Sequence, residues 1–313
     1  MSGAAPDPRI PGMIRHAALV LLASLGSATG ANAVGSASGG GDPDAGPRFA
    51  DVRLATGVRL RYAEQGDRNG AAVILLHGYS DSWFSWSRVL PLIPARYRVI
   101  APDLRGHGDS EQPAGGYAMR DLASDVLALM DTLGIERASL VGHSMGSLVA
   151  QQVALAAPGR VERLMLVGYA PSIHSMAGID GFTAALNALQ DPVPEQFARE
   201  FQVSTIHHPI PDEFLDTAVA TSLRLPARVW RGIMAGMLAT APAPELDRLG
   251  IPTLALSGER DAVFPLAARR ALLAQLPGAR SVTYPATGHA PHWERPEIFA
   301  ADLVGFLAGG ARS

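Results

Sequence analysis

Hydrophobic positions along the chain gather into short unbroken runs set between longer amphipathic stretches. Residues 72–76, 98–101, 138–141, 161–167, 251–257 and 281–284 are mostly apolar and bounded by turn-forming residues, which is the pattern of strands buried on both faces. Residues 82–92, 119–133, 147–157, 265–276 and 296–307 repeat apolar positions at helical spacing. In 119–133, for example, Leu122, Val126, Leu129, Met130 and Leu133 share one side and Gly134 closes the segment. Residues 51–55 and 58–63 alternate around Thr56-Gly57 and predict a hairpin. Strands alternating with helices predict an α/β protein built on a doubly wound, mostly parallel sheet.

The alternation stops between 172 and 249. That stretch carries helical patterns punctuated by Pro192, Pro194, Pro209, Pro211, Pro226, Pro242 and Pro244, with no buried strand. It predicts a helical cap inserted at the C-terminal edge of the sheet, where α/β folds place their sites. The core then comprises 49–171 and 250–313.

One strand-to-helix junction is abrupt. Gly142-His143-Ser144-Met145-Gly146 leaves no room for a loop between the run at 138–141 and the helix at 147–157. A chain that turns so sharply strains its central residue, and a larger side chain at either glycine would collide across the turn. The turn pushes the Ser144 hydroxyl out at the end of the strand and aims a helix N-terminus at the same point. A serine hydroxyl needs a base, and the base needs an orienting carboxylate. The order that accompanies this junction is serine, acid, histidine. Asp261 follows the first strand after the cap, and His289 follows the last strand. Glu259 is the alternative acid. His292 is expected to be a packing or hydrogen-bonding histidine, and His143 to point away from the hydroxyl. An acyl oxyanion needs two N–H donors. Met145 supplies one, and the backbone of Tyr79, after His77-Gly78, the other.

Together, Leu75-Leu76-His77-Gly78, the Asp103–Ser110 loop, Gly142-His143-Ser144-Met145-Gly146, Asp261 and Gly288-His289 resemble the α/β-hydrolase superfamily. The resemblance spans nearly all of the chain after its N-terminal segment and implies the fold, not the substrate. No catalytic role is carried over to the Arg105-Gly106-His107-Gly108 loop. Epoxide hydrolases and haloalkane dehalogenases of this superfamily use an aspartate nucleophile, where this chain has Ser144. Epoxide hydrolases also use cap tyrosines and a His-Gly-X-Pro turn. The 172–249 segment has no Tyr, and Ser80 stands at the proline position.

Composition narrows the chemistry. All 26 basic residues are Arg and there is no Cys, which excludes Schiff-base lysines, Ser–Lys dyads, thiol nucleophiles, thiolate metal sites and disulfides. A net charge of −3 with mixed signs gives no footprint for nucleic acid. His207-His208 with Asp212 and Glu213 is broken by prolines, so no metal site and no cofactor are expected. Arg15 and His16 precede an apolar run at 17–25 and Ala31-Asn32-Ala33, the pattern of an export signal cleaved after Ala33. The signal occupies 1–33, a flexible linker 34–48, and the location is periplasmic or extracellular. The run is too short for a stable membrane anchor.

The expected activity is a cofactor-free serine hydrolase acting on a small, uncharged, apolar ester or lactone. Acyl transfer, perhydrolysis or cofactor-free haloperoxidation on the same triad, and a slow-turnover binding protein, remain open. Trp83, Phe84 and Trp86 beside the oxyanion loop are expected to help line the cleft. From the cap come Phe182, Leu186, Leu189, Phe197, Phe201, Phe214, Trp230, Met234 and Met237, about a third of them reaching it. Arg224, Arg228 and Arg231 are expected to stay out of it.

Overall fold

The computed structural model describes residues 46–241 and 250–309. The predicted signal, most of the predicted linker, and Pro242 and Pro244 lie outside the described residues. Eight strands form one sheet: β1 (Arg48–Arg53), β2 (Arg59–Gln65), β3 (Ala71–Leu76), β4 (Tyr97–Pro102), β5 (Ala138–His143), β6 (Val161–Val167), β7 (Thr253–Gly258) and β8 (Arg280–Tyr284). Their order across the sheet is β1-β2-β4-β3-β5-β6-β7-β8. The hairpin β1–β2 and the β2–β4 pair are antiparallel, and every other neighbouring pair is parallel. This is the α/β-hydrolase fold. β1 starts at Arg48, inside the stretch read as linker.

Successive residues of a strand point to opposite faces, so a strand covered on both sides feeds two cores. Ile74 and Leu76 of β3 join Leu140 of β5 in one core, with α1 (Met119–Thr132) and α2 (Met145–Ala156). Val73 and Leu75 join Val141 in the other, together with Phe299 and Leu303 from the C-terminal helix (Pro296–Leu307). This explains why the central strands read as continuous apolar runs.

Between β6 and β7 the chain forms α3 (Ile179–Ala188), α4 (Glu195–Ser204), α5 (Asp212–Ser222) and α6 (Ala227–Leu238). The remaining helices are α7 (Leu266–Ala274), α8 (Pro291–Glu294) and α9 (Pro296–Leu307). No helix among the described residues is long and apolar enough to cross a membrane.

The helix predicted at 82–92 is instead two 3₁₀ turns, Trp83–Trp86 and Leu90–Leu92. Ser82 caps the first through its side chain, and Asp103 accepts the Trp83 N–H at 2.8 Å. These bonds hold the first turn, and the second carries Pro91 near its start and ends where the Ile93 N–H donates to Leu90 O.

Candidate active site

β5 ends at His143 and α2 begins at Met145, so Ser144 alone makes the turn, at φ 51° and ψ −116°. Few non-glycine residues occupy this region, and the surroundings hold it there. The Ser144 N–H donates to Val167 O at 2.9 Å, and its carbonyl accepts from Ser147 N at 2.9 Å and Ser147 Oγ at 2.6 Å. A Cβ on Gly142 would lie 2.2 Å from Gly146 O, and one on Gly146 would lie 2.2 Å from Leu76 O. Both glycines are therefore steric requirements of the junction. Met145, as first residue of α2, has an N–H with no intrahelical acceptor, at the positive end of the helix dipole.

Asp261 lies in the loop after β7. Its Oδ2 meets His289 Nδ1 at 3.0 Å, and its Oδ1 accepts the N–H groups of Val263 and Phe264, both at 2.9 Å. Burial alone would raise its pKa. The His289 charge and hydrogen bond, with the two backbone donors, outweigh burial and hold the carboxyl below the usual carboxylate range. Glu259 is exposed and bonds instead to Ala286 N at 3.2 Å, so the structure brings Asp261, not Glu259, to His289.

His289 sits in the loop after β8 and is held at both ends of its peptide unit. Its N–H donates to Thr205 O at 2.7 Å, and its carbonyl accepts from His143 Nε2 at 3.1 Å. With Nδ1 committed to Asp261, Nε2 is the basic nitrogen, and His289 and Ser144 line the same cleft. Gly168, just past β6, was not singled out by sequence. A Cβ there would lie 2.7 Å from His289 O, 2.8 Å from Cε1 and 2.9 Å from Nδ1, and its φ is +53°. Gly168 is the space the imidazole occupies.

On the other side of Ser144 the chain leaves β3 through His77 and Gly78. A Cβ on Gly78 would press to 2.9 Å from both His143 Nδ1 and Asp81 Oδ2, so only glycine lets this loop approach the elbow. Tyr79 follows in the cleft wall, its ring packed at 5.1 Å on Trp230 and its hydroxyl donating to Trp230 O at 2.7 Å.

Two further titratable groups line this cleft, His143 and Asp81. His143 packs beside His289. Its ring lies 5.0 Å from that of His289 and also lines the cleft, and burial drives its pKa down to about 3, so it is neutral. Asp81, which carried no motif, places a carboxyl in the cleft wall. Burial pushes it up to about 7, opposed by a 2.9 Å bond from Gln202 and the proximity of His289. His292 bonds Ser85 Oγ at 3.0 Å and packs 4.4 Å from the Trp86 ring, as a packing histidine. His207 and His208 turn their backbone N–H groups to Glu294, which also accepts from Gly288 N. Among the described residues no cluster of three His, Asp or Glu is arranged to hold a metal ion.

The cleft encloses a cavity of about 30 Å³. Of the apolar cap residues expected to reach it, Phe182, Phe201, Met234 and Met237 do, joined by Ile173, Met176, Val263 and Trp293. Trp83, Phe84 and Trp86 are not in its wall; Trp86 is fully buried beside His292. Arg224 pairs with Asp109, Arg228 with Gln112 O and Pro113 O, and Arg231 with Leu189 O, so no cap arginine of the three faces the cleft.

The sequence profile of the α/β-hydrolase fold matches residues 71–296. An uncharacterised protein of Mycobacterium tuberculosis is 31% identical over 284 residues, covering 83% of this chain and 81% of that protein. A non-heme chloroperoxidase of Streptomyces lividans is 30% identical over 275 residues, covering 82% of this chain and 98% of that one. Among solved structures, an esterase from a Rhodococcus species superimposes with a TM-score of 0.74 at 27% identity, covering 84% of this chain and 99% of that chain.

Proposed function

The chain belongs to the α/β-hydrolase family, and from that premise we propose that it is a serine hydrolase cleaving carboxylic esters or lactones through an acyl-enzyme on Ser144. The observation that carries the reading is the strained Ser144 at the head of α2, facing the same cleft as a histidine whose other nitrogen is fixed 3.0 Å from a buried carboxylate. In this reading Ser144 Oγ attacks the carbonyl carbon while His289 Nε2 takes its proton. Asp261 holds the ring in the tautomer that leaves Nε2 basic and stabilises the imidazolium. The N–H groups of Tyr79 and Met145 receive the oxyanion. His289 then protonates the leaving alcohol, and water, deprotonated by the same nitrogen, releases the acid.

The cleft chemistry supports an uncharged substrate. Ile173, Met176, Phe182, Phe201, Met234 and Met237 make a largely apolar wall, and no arginine is among the residues that line it. An anionic acyl chain would be desolvated there without a partner. Export, resting on Arg15, the apolar run at 17–25 and Ala31-Asn32-Ala33, is part of the same proposal.

The test is a series of p-nitrophenyl esters of increasing acyl length beside a hemisuccinate ester, with wild type and Ser144→Ala. Neutral short-to-medium esters are expected to turn over fastest. Ser144→Ala is expected to lose at least roughly 10³-fold in kcat, because triad members act as a unit. Near-wild-type turnover by folded Ser144→Ala would overturn the assignment, and preference for the hemisuccinate would overturn the substrate class. The similarity to a chloroperoxidase supports a second reading, in which peroxide replaces water on the same acyl-enzyme. Peracid formed from acetate and hydrogen peroxide measures it directly.

A further inference from the structure

We infer that Gln202, on cap helix α4, is a positioning residue that sets the oxyanion loop through Asp81 and Ser80. The inference rests on the reading of Ser144 as an acylating nucleophile and deepens it. The loop runs Gly78-Tyr79-Ser80-Asp81. The Tyr79 N–H lies in the peptide plane between Gly78 and Tyr79 and keeps its aim only while the chain on both sides of Tyr79 is held. Ser80 has φ +62°, in the left-handed region that side-chain-bearing residues leave unless held.

What holds it comes from the cap. Gln202 Nε2 donates to Asp81 Oδ1 at 2.9 Å and to Ser222 Oγ at 2.8 Å, and lies 3.4 Å from Ser80 Oγ. Ser222, at the end of α5, reaches Ser80 O at 3.1 Å and lies 3.2 Å from Ser80 Oγ. All four residues are buried, Ser80 and Ser222 completely. One side-chain amide therefore ties two cap helices to the two residues after the oxyanion donor. Bonds in such a dry site are strong and leave few alternative partners.

An oxyanion donor acts on charge that exists only in the transition state, and its benefit depends on being aimed before the reaction begins. Loss of the Gln202 tie frees Ser80 to relax and Tyr79 N–H to swing. The loss then appears in kcat. Gln202 also lines the cleft, and a mere contact with substrate would appear in KM instead.

The experiment compares wild type, Gln202→Leu and Ser222→Ala, each titrated for active sites. It reads kcat and KM on p-nitrophenyl butyrate, the rate of Ser144 modification by a fluorophosphonate, and amide exchange of residues 79–82. Gln202→Leu is expected to lower kcat roughly 10–100-fold with KM within about threefold, a fraction of what deleting a whole donor costs. Fluorophosphonate labelling is expected to slow in parallel, and residues 79–82 to exchange faster while β5 and α2 do not change. Ser222→Ala keeps the Gln202–Asp81 bond and is expected to lose less. Should Gln202→Leu not fold, Ser222→Ala, a smaller change, carries the test with a few-fold loss in kcat. Unchanged kcat per titrated site, or a change in KM alone, overturns the inference. A wild type that is labelled at Ser144 yet cleaves no ester overturns the esterase reading, and the labelling and exchange rates still decide the role of Gln202.

Discussion

Replacing Asp81 by Asn removes a buried ionisable group while keeping an acceptor for Gln202 Nε2. Burial moves this carboxyl from an ordinary 3.8 up to about 7, so between those values the folded chain holds a proton that the unfolded chain has already lost. The folded state thus binds more protons than the unfolded one, and the Asp81 contribution to stability falls as pH rises through this window and levels off above about 7. From the two values, the ionisation penalty is about 2 kcal/mol at pH 5 and about 4 kcal/mol at pH 8. Other groups tilt the curve the other way. His77, His107, His143 and His292 are buried with lowered pKa values, and their neutral forms favour the folded state as pH rises. The difference between wild type and Asp81→Asn cancels them to first order. His143, whose Nδ1 lies 4.0 Å from Asp81 Oδ2, stays neutral across the range. Any hydrogen bond that Asn fails to make offsets the two curves equally at every pH. Urea unfolding of both proteins at pH 5 and pH 8 is therefore expected to show the variant gaining about 2–3 kcal/mol on wild type between the two conditions. Parallel curves would refute the reasoning and place the Asp81 charge in contact with water.

Asp261→Asn is expected to lose roughly 10²–10⁴-fold in kcat by favouring the wrong His289 tautomer, while Glu259→Gln, altering an exposed side chain, retains activity; ester assays of the two variants check this, and the reverse result would exchange their roles. Gly168→Ala places a methyl against the His289 ring and a side chain at positive φ, so kcat is expected to fall by roughly 10²-fold or more with KM little changed, since a small misplacement of a catalytic group has that scale. Retained activity in steady-state kinetics would show that the loop absorbs the methyl. Protein recovered from its native host is expected to begin near Val34 and to lie outside the cytoplasm, and N-terminal sequencing that finds residues 1–33 retained would contradict export.

What the sequence reveals here follows the range of the forces involved. The elbow is legible because its constraint is local: Gly142 and Gly146 are required by atoms within the junction and by the neighbouring end of β3. Asp261 and His289 are legible because each follows directly on a strand whose apolar run marks it, and parallel strands bring their C-terminal ends to one edge. The stretch at 82–92 misleads because Trp86 and Val89 are three residues apart, a spacing that fits a 3₁₀ turn as well as an α-helix, and a side chain from a distant loop, Asp103, settles which one forms. Asp81 and Gly168 are invisible for the same reason. Each matters for what packs against it, Gln202 in one case and His289 in the other, 121 residues away in both cases.

The cap shows most clearly what pattern reading cannot reach. Its helices were foreseeable from their periodicity, but their attachment to the chemistry was not. The last turn of α4 and the residue after it make two separate ties: Gln202 bonds Asp81 beside the oxyanion loop, and Thr205 O accepts the N–H of His289. Both loops that would serve Ser144 therefore hang from one helix end, with Glu294 clamping the His207-His208 backbone to Gly288 alongside. A cap built this way does more than cover a pocket. A displacement of the α4 end by a bulky substrate would move donor and base together, so cap substitutions along this edge are expected to change rate as well as substrate range. Substitutions at the apolar wall, such as Met234 or Met237 on α6, touch neither tie and are expected to act on range alone.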